Sequence, residues 1–235
     1  MINVIVPMAG EGKRFKDAGY ELPKPLIDVG GEPMIRKALT TFNVEGKYYF
    51  VVRNDNFLLQ TINAIEQVKP NSDFRLIQNT TEGAAVSALK FKDNIDEEGE
   101  LLIINCDQIM NWNPNNVLES LRKYDAGVVT IRSNDPKHSY VKVEDKRALF
   151  FKEKEVISDH ALVGIHYWKK AKYFFSSAEK MILLNQRSAN GEFYIAPTYN
   201  LLIKEGLDIG ISQIQENEIH FVGTPNDLKE YNESR

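Results

Sequence analysis

The stretch Val6-Pro7-Met8-Ala9-Gly10-Glu11-Gly12-Lys13-Arg14-Phe15-Lys16-Asp17-Ala18-Gly19-Tyr20-Glu21-Leu22-Pro23-Lys24-Pro25-Leu26 decides how this chain is read. A short apolar strand (Ile2, Val4, Ile5, Val6) runs into a loop with two glycines and two basic residues. Ten positions after Arg14 comes a lysine set between Pro23 and Pro25. Such a loop suits polyphosphate. Gly10 and Gly12 lack a Cβ and let backbone N–H groups approach a ligand closely, while successive amides in a turn form an anion-binding concavity. Lys13, Arg14 and Lys24 supply countercharge. The flanking prolines restrict the backbone around Lys24, and Pro25 biases the lysine toward an extended conformation.

Two better-known phosphate loops do not fit. A Walker A loop needs Gly five residues before its Gly-Lys pair and Ser or Thr after it, where this chain has Pro7 and Arg14. A dinucleotide fingerprint needs a third Gly where Phe15 stands, and its helix would soon meet Gly19, Pro23 and Pro25.

Outward from this loop, strand and helix candidates alternate. Ile2 to Pro7 reads as the first strand, and Pro33 opens a helix carrying Met34, Ile35, Ala38, Leu39 and Phe42 at helical spacing. Tyr48–Val52 and Phe74–Gln78 read as strands, Phe57–Val68 and Gly83–Leu89 as helices. Leu101-Leu102-Ile103-Ile104 is a continuous apolar run typical of a strand buried on both faces, and it ends at Asn105-Cys106-Asp107. This alternation predicts βαβ units and a largely parallel sheet. After a helix near Pro114–Tyr124 and a strand at Ala126–Arg132 the pattern changes. Tyr140–Glu144, Ala148–Lys152 and Ala161–Tyr167 are short β candidates between charged turns, as in a meander or a mixed-sheet extension. Helices at Lys170–Leu184 and Ile195–Glu205, a strand at Ile209–Ile214 and a short helix after Gly223-Thr224-Pro225 complete the chain. The apolar stripe Ala171, Phe174, Phe175, Ala178, Met181 and Ile182 is core.

With 235 residues, 43% of them hydrophobic, the chain can bury a sizeable core. No linker or repeat divides it, so one domain spanning 1–235 is expected, its second half (about 131–235) folding over its first (about 1–130). A net charge of -4 argues against a nucleic-acid partner held by a basic face. No apolar run reaches membrane-spanning length and the opening residues lack a signal-peptide pattern, which leads to the expectation of a cytoplasmic protein without a membrane partner. Cys106, the sole cysteine, reads as a small buried hydrophobe.

The whole string A-G-x-G-x-R-F followed by P-K-P-L, placed after one N-terminal strand, resembles the signature of the sugar-phosphate nucleotidylyltransferases, also called nucleoside-diphosphate-sugar pyrophosphorylases. The small capsule-biosynthesis members are the most similar in size, since the chain stops soon after Gly-Thr-Pro without the β-helix that some relatives append. The resemblance implies a single α/β domain of Rossmann-like, glycosyltransferase-A type, its mixed but mostly parallel sheet flanked by helices. It implies Mg²⁺-dependent transfer of a nucleotidyl group from a nucleoside triphosphate to a sugar 1-phosphate, with release of pyrophosphate.

Residue by residue, the family pattern falls on Ala9, Gly10, Gly12, Lys13, Gln78 and Gly83 for the nucleotide, Gln78 facing the base and Gly83 letting backbone pack beneath it. Arg14 is implied at the leaving β- and γ-phosphates and Lys24 at the α-phosphate, the two catalytic residues. Asp107, at the carboxyl end of the buried strand, is implied as the Mg²⁺ ligand. Lys154, in Glu153-Lys154, would contact the acceptor phosphate with Lys152 as its rival, and Glu192, in Gly191-Glu192, the sugar hydroxyls. Plain helix capping also explains the segment around Thr81, and a charged turn the one around Lys154. One departure stands out. Many relatives place a second metal-binding Asp two residues before Gly-Thr-Pro, where this chain has Phe221, next to His220. The base, the acceptor and a homo-oligomeric state stay open. A cytidylyltransferase acting on a phosphorylated alcohol or amine is the alternative. A glycosyltransferase fits worse, because Cys106-Asp107-Gln108 is not an Asp-x-Asp; a non-catalytic nucleotide-binding protein would not need Arg14, Lys24 and Asp107 together.

Overall fold

Ile2, Val4, Ile5 and Val6, the apolar residues ahead of the glycine loop, form an interior strand with no more than 4% exposure at any of them. A computed structural model describes residues 1–234 of the chain. In chain order the elements are β1 (Ile2–Pro7), α1 (Lys13–Asp17), α2 (Met34–Phe42), β2 (Gly46–Arg53), α3 (Leu58–Glu66), β3 (Asp73–Ile77) and α4 (Ala84–Leu89). Then come β4 (Leu101–Ile104), β5 (Gln108–Met110), α5 (Pro114–Leu121), β6 (Ala126–Arg132), β7 (Tyr140–Glu144), β8 (Arg147–Lys152) and β9 (His160–Trp168). The last are α6 (Ala171–Leu183), α7 (Thr198–Lys204), β10 (Ile209–Gln213), β11 (Ile219–Phe221) and α8 (Pro225–Glu233).

The main sheet runs β3-β2-β1-β4-β9-β6-β10-β8-β7, and β7 also pairs back to β9 through Tyr140 and Ala161. The mixed but mostly parallel Rossmann-like sheet expected from the sequence is therefore not what forms. Parallel pairing joins β3, β2, β1 and β4, and then recurs only between β6 and β10. The contacts of β9 with β4, β6 and β7, and of β8 with β7 and β10, are antiparallel. Five strands, β9, β6, β10, β8 and β7, thus close on themselves as a barrel-like sheet of mainly antiparallel pairs. The cause is local. A two-residue turn such as Asp145-Lys146, both at positive φ (47° and 67°), can join only antiparallel neighbours, whereas parallel strands need a long crossover.

Helices cover both faces of the sheet. α2, α3 and α5 bury Ile35, Leu39, Phe42, Ala64, Ile65, Val117, Leu118 and Leu121 against one face. On the other, α4, α6 and α7 bury Ala85, Ala88, Phe174, Phe175, Met181, Tyr199 and Leu202, so the apolar stripe of α6 is core as its spacing predicts. A third cluster joins distant parts of the chain: Phe15, Ile27, Val29, Met34 and Ala38 pack with Ile109, Val222, Leu228 and Tyr231. This contact, with the two-stranded pairing of β5 and β11, brings the start of α8 against the N-terminal loop. No helix among the described residues is long and apolar enough to cross a membrane.

Candidate active site

The glycine loop leaves β1 and turns into α1 through Gly12, whose φ of 62° is a left-handed conformation suited to glycine. A Cβ on Gly12 would come within 3.1 Å of Lys24 Cβ, so this glycine also lets the loop lie against the lysine segment. Lys24 is not extended. It opens the 3₁₀ turn Lys24–Leu26, in which Leu26 N donates to Pro23 O at 2.8 Å and Pro25 and Leu26 are buried. That packing overrides the local bias that Pro25 imposes on the residue before it. The turn delivers Lys24 Nζ to Asp107, with which it forms a hydrogen-bonded ion pair, the two side chains 20% and 19% exposed. Burial alone would lower the lysine's pKa; Asp107 chiefly, with Cys106, outweighs it and moves the pKa upward, so the ammonium is retained. Burial pushes the neighbouring Cys106 thiol up to about 11, which leaves it protonated.

Asp107 lies beyond β4 and is held from the far side by the residue that follows β11, as Val222 N donates to Asp107 O at 3.0 Å. Gly223 comes so close that a Cβ there would lie 2.5 Å from Asp107 Oδ2 and 3.6 Å from Lys24 Nζ. The Gly of Gly-Thr-Pro is thus a requirement of the site, beyond opening α8.

Two lobes meet at this centre. The first, about 290 Å³, is lined by Gly10, Gly12, Lys13, Arg14, Lys24 and Asn105 among others. The second, about 310 Å³, holds Lys137, His138, Ser139, Glu153, Lys154 and Tyr194 over a floor from β9. Arg14, Asn105, Asp107 and Gly223 line both, so the lobes are one continuous cleft. In the second lobe Lys154, itself at φ 53°, donates to the Tyr194 hydroxyl at 3.0 Å. Beside it Glu153 accepts from the Ser139 hydroxyl, and burial raises its pKa. Lys152 turns to Glu155 at 2.9 Å and lines neither lobe.

The cleft therefore gathers Gly10, Gly12, Lys13, Arg14, Lys24, Asp107 and Lys154. Four other sequence candidates do not line either lobe. Ala9 is buried in the core at 3% exposure, and Gln78 is exposed beyond β3. Gly83, at φ 135°, sits where backbone crosses backbone, a Cβ there meeting Phe193 N at 2.6 Å. Phe193 N donates to Glu82 O at 2.8 Å and Ala85 N to Phe193 O at 3.1 Å, which locks the loop carrying exposed Glu192 onto the start of α4. Phe221, where the family resemblance led to the expectation of a second Asp, packs at a tilt against His138 (5.0 Å) and beneath Lys137 Nζ (5.8 Å), while His220 packs edge-on against Tyr231. Lys137, His138 and Ser139 went unread in the sequence because only the return of β7 to β9 brings their loop over the cleft.

Lys13, Arg14 and Lys24 gather with one carboxylate, Asp107, at the carboxyl ends of a parallel strand block, the place where α/β proteins collect ligands. The chain belongs to the nucleotidyl transferase family, whose model matches residues 3–232, and carries that family's transferase domain. It is 24% identical over 215 residues to the bifunctional protein GlmU of Methanococcus aeolicus, covering 89% of this chain and 49% of that protein. To the GlmU of Methanocaldococcus jannaschii it is 26% identical over 234 residues, covering 98% and 53%. The chain thus spans about half the length of these curated relatives. Among solved structures, the nucleoside-diphosphate-sugar pyrophosphorylase of Vibrio cholerae superposes with a TM-score of 0.85 at 23% identity, covering 97% and 98% of the two chains. A putative glucose-1-phosphate thymidylyltransferase of Bacillus anthracis gives 0.76 at 20% identity, covering 100% and 95%. The inositol-1-phosphate CTP transferase of T. maritima gives 0.74 at 15%, covering 98% and 93%. These three establish the shared fold.

Proposed function

We propose that the chain joins a nucleoside triphosphate to a sugar 1-phosphate, giving a nucleoside-diphosphate sugar and pyrophosphate. The observation that carries this reading is the single cleft linking Arg14, Lys24 and Asp107 to Lys154. An acceptor phosphate oxygen forms a bond to the α-phosphorus while the α–β phosphoanhydride breaks and pyrophosphate leaves. A phosphate monoester is already ionised near neutral pH, so no general base is needed; positioning and charge stabilisation supply the catalysis. Arg14, helped by Lys13, takes the departing β- and γ-phosphates. Lys24 holds Asp107 until the triphosphate arrives, then exchanges its carboxylate partner for the α-phosphate. Lys154, steadied by Tyr194, aligns the attacking phosphate, and the half from about 131 onward is the acceptor half.

Asp107 fits Mg²⁺. It is a hard oxygen donor, and glycine at 223 keeps clear the space beside its Oδ2. Among the described residues no three His, Cys, Asp or Glu side chains form a cage, and Mg²⁺ bound largely by phosphates and water needs none. Bound there, the ion would neutralise triphosphate charge. Phe221 removes the second protein carboxylate that many relatives bring.

A phosphorylated alcohol or amine is the second reading of the acceptor, supported by likeness to a protein described as an inositol-1-phosphate CTP transferase. Cytoplasmic synthesis of activated sugars for a surface polysaccharide completes the proposal. The test runs the reaction backwards: protein, Mg²⁺, pyrophosphate and a panel of UDP-, dTDP-, GDP-, ADP- and CDP-linked sugars and alcohols, with triphosphate measured. Triphosphate from one member identifies base and acceptor together; none from any member refutes the reading.

A further inference from the structure

The floor of the acceptor lobe contains a polar side chain that the mechanism above leaves idle. His166 stands on β9, opposite Ile103 of β4 and Val128 of β6, lines the lobe and is only 7% exposed. Its ring joins an aromatic stack, 5.8 Å from Tyr199 and 6.1 Å from Trp168, with interplanar angles of 20° and 19°. Nδ1 is sealed from solvent without a hydrogen-bond partner. A buried polar atom without a partner is costly, and a phenylalanine would satisfy the stack without that cost. Thr130 Oγ1 and Trp168 Nε1 are also unpartnered, but neither residue lines the cleft; His166 does.

Gly164, two residues earlier on β9, makes room for the Asn105 and Gln108 amides, since a Cβ there, at φ 76°, would meet Gln108 Nε2 at 2.8 Å and the Asn105 amide. The imidazole itself is part of the cleft's lining. Burial drives the ring's pKa down to about 3, so it is neutral and carries one N–H. An unpaired buried acceptor is tolerated more readily than an unpaired N–H, which puts the bare nitrogen at the sealed Nδ1 and the proton on Nε2, the nitrogen left to face the cleft.

We propose that His166 is a specificity residue of the acceptor lobe, its Nε2–H donating a hydrogen bond to a hydroxyl or carbonyl oxygen in the body of the phosphorylated acceptor. The phosphate itself goes to Lys154. The inference rests on the acceptor-lobe assignment above and adds to it the kind of group the floor reads: an oxygen that accepts, set against an apolar wall of Leu162, Ile195 and Ala196.

Two measurements test this, both with the acceptor that the reverse panel identifies. In the first, His166→Phe keeps the stack and removes the donor. The expected result is a loss of roughly tenfold in kcat/KM for the acceptor, with KM for the triphosphate unchanged and Tm no lower than wild type. In the second, wild-type protein labelled with ¹⁵N-histidine is titrated with the acceptor. Its His166 resonances should report an Nε2–H tautomer and move at saturation, and should stay still with inorganic phosphate or triphosphate alone. Unchanged acceptor kinetics in a folded variant, an Nδ1–H tautomer, or resonances unmoved by saturating acceptor would each overturn the proposal while leaving the nucleotidyl-transfer reading intact. A panel without turnover would remove that reading and this inference together.

Discussion

Gly223→Ala tests the phosphate centre with one methyl group. The added Cβ would sit 2.5 Å from Asp107 Oδ2 and 3.3 Å from Asp107 Cγ. Such contacts are essentially never closer than 3.0 Å, so the carboxylate must retreat by about 0.5 Å, and Lys24, hydrogen-bonded to it, must follow. The atom displaced is the tip of a side chain, and Gly223 does not need a left-handed backbone, so the fold accommodates alanine. Catalysis does not, because a displacement near 1 Å can cost about 10²-fold in rate. We expect kcat to fall roughly tenfold to a hundredfold, about 1.4 to 2.7 kcal/mol of barrier, with Tm within about 2 °C of wild type. Pyrophosphate release under saturating substrates, paired with a thermal melt, measures both. A kcat within twofold of wild type would refute the claim that Gly223 exists to seat Asp107; a collapse of Tm would show that it serves the fold instead.

Lys24→Ala and Arg14→Ala should each lower kcat/KM by about 2 to 4 kcal/mol of transition-state stabilisation while the circular dichroism spectrum is retained, and near-normal turnover in either would sink the assignment. Gly83→Ala should do the reverse and attack the fold: with φ at 135° and Phe193 N only 2.6 Å from the new Cβ, a loss of at least about 2 kcal/mol in urea unfolding is expected, and unchanged stability would contradict the crossing described. Acid should weaken the protein through His166. Between the ordinary histidine pKa of 6.5 and about 3 the unfolded chain takes up a proton that the buried ring refuses, so stability falls as pH drops through that window. From pH 7 to pH 5 this amounts to about 2 kcal/mol, which His166→Phe should abolish; identical acid slopes for variant and wild type in denaturant titrations would rule it out.

How far the chain could be read in advance differs from segment to segment. The parallel block was legible because strands such as β1 and β4 are apolar runs and helices separate the strands, as α2 does with its stripe of Ile35, Leu39 and Phe42. The closed sheet was not. Tyr140–Glu144 and Ala148–Lys152 are visible as short β candidates, but nothing in them announces that β9 inserts between β4 and β6, or that Tyr140 returns to Ala161. Strands β5 and β11, three residues each, are too short to carry a period, yet their pairing carries Gly223 to Asp107. Gly83 was read as a glycine beneath the base, whereas what fills its missing Cβ is the backbone of Phe193, 110 residues on, as the two residue numbers show.

The sequence by itself determined the parts of the centre. Two glycines, two adjacent cations, a lysine between prolines and an aspartate at the end of an apolar strand are local signals, because turn geometry, charge and strand burial are set by residues near one another in the chain. Tertiary structure alone decided which of these groups meet. Lys24 pairs with Asp107 across 83 positions, and Gly223 closes on both from the far end of the described chain. It also decided that the second half curls into a closed sheet whose loop brings Lys137, His138 and Ser139 to the cleft, and that His166 faces it from β9. Such meetings depend on strand order and on the packing of Phe15, Ile27, Val222 and Leu228 in one cluster, a property of surfaces brought together from distant parts of the chain, which no single window of sequence contains.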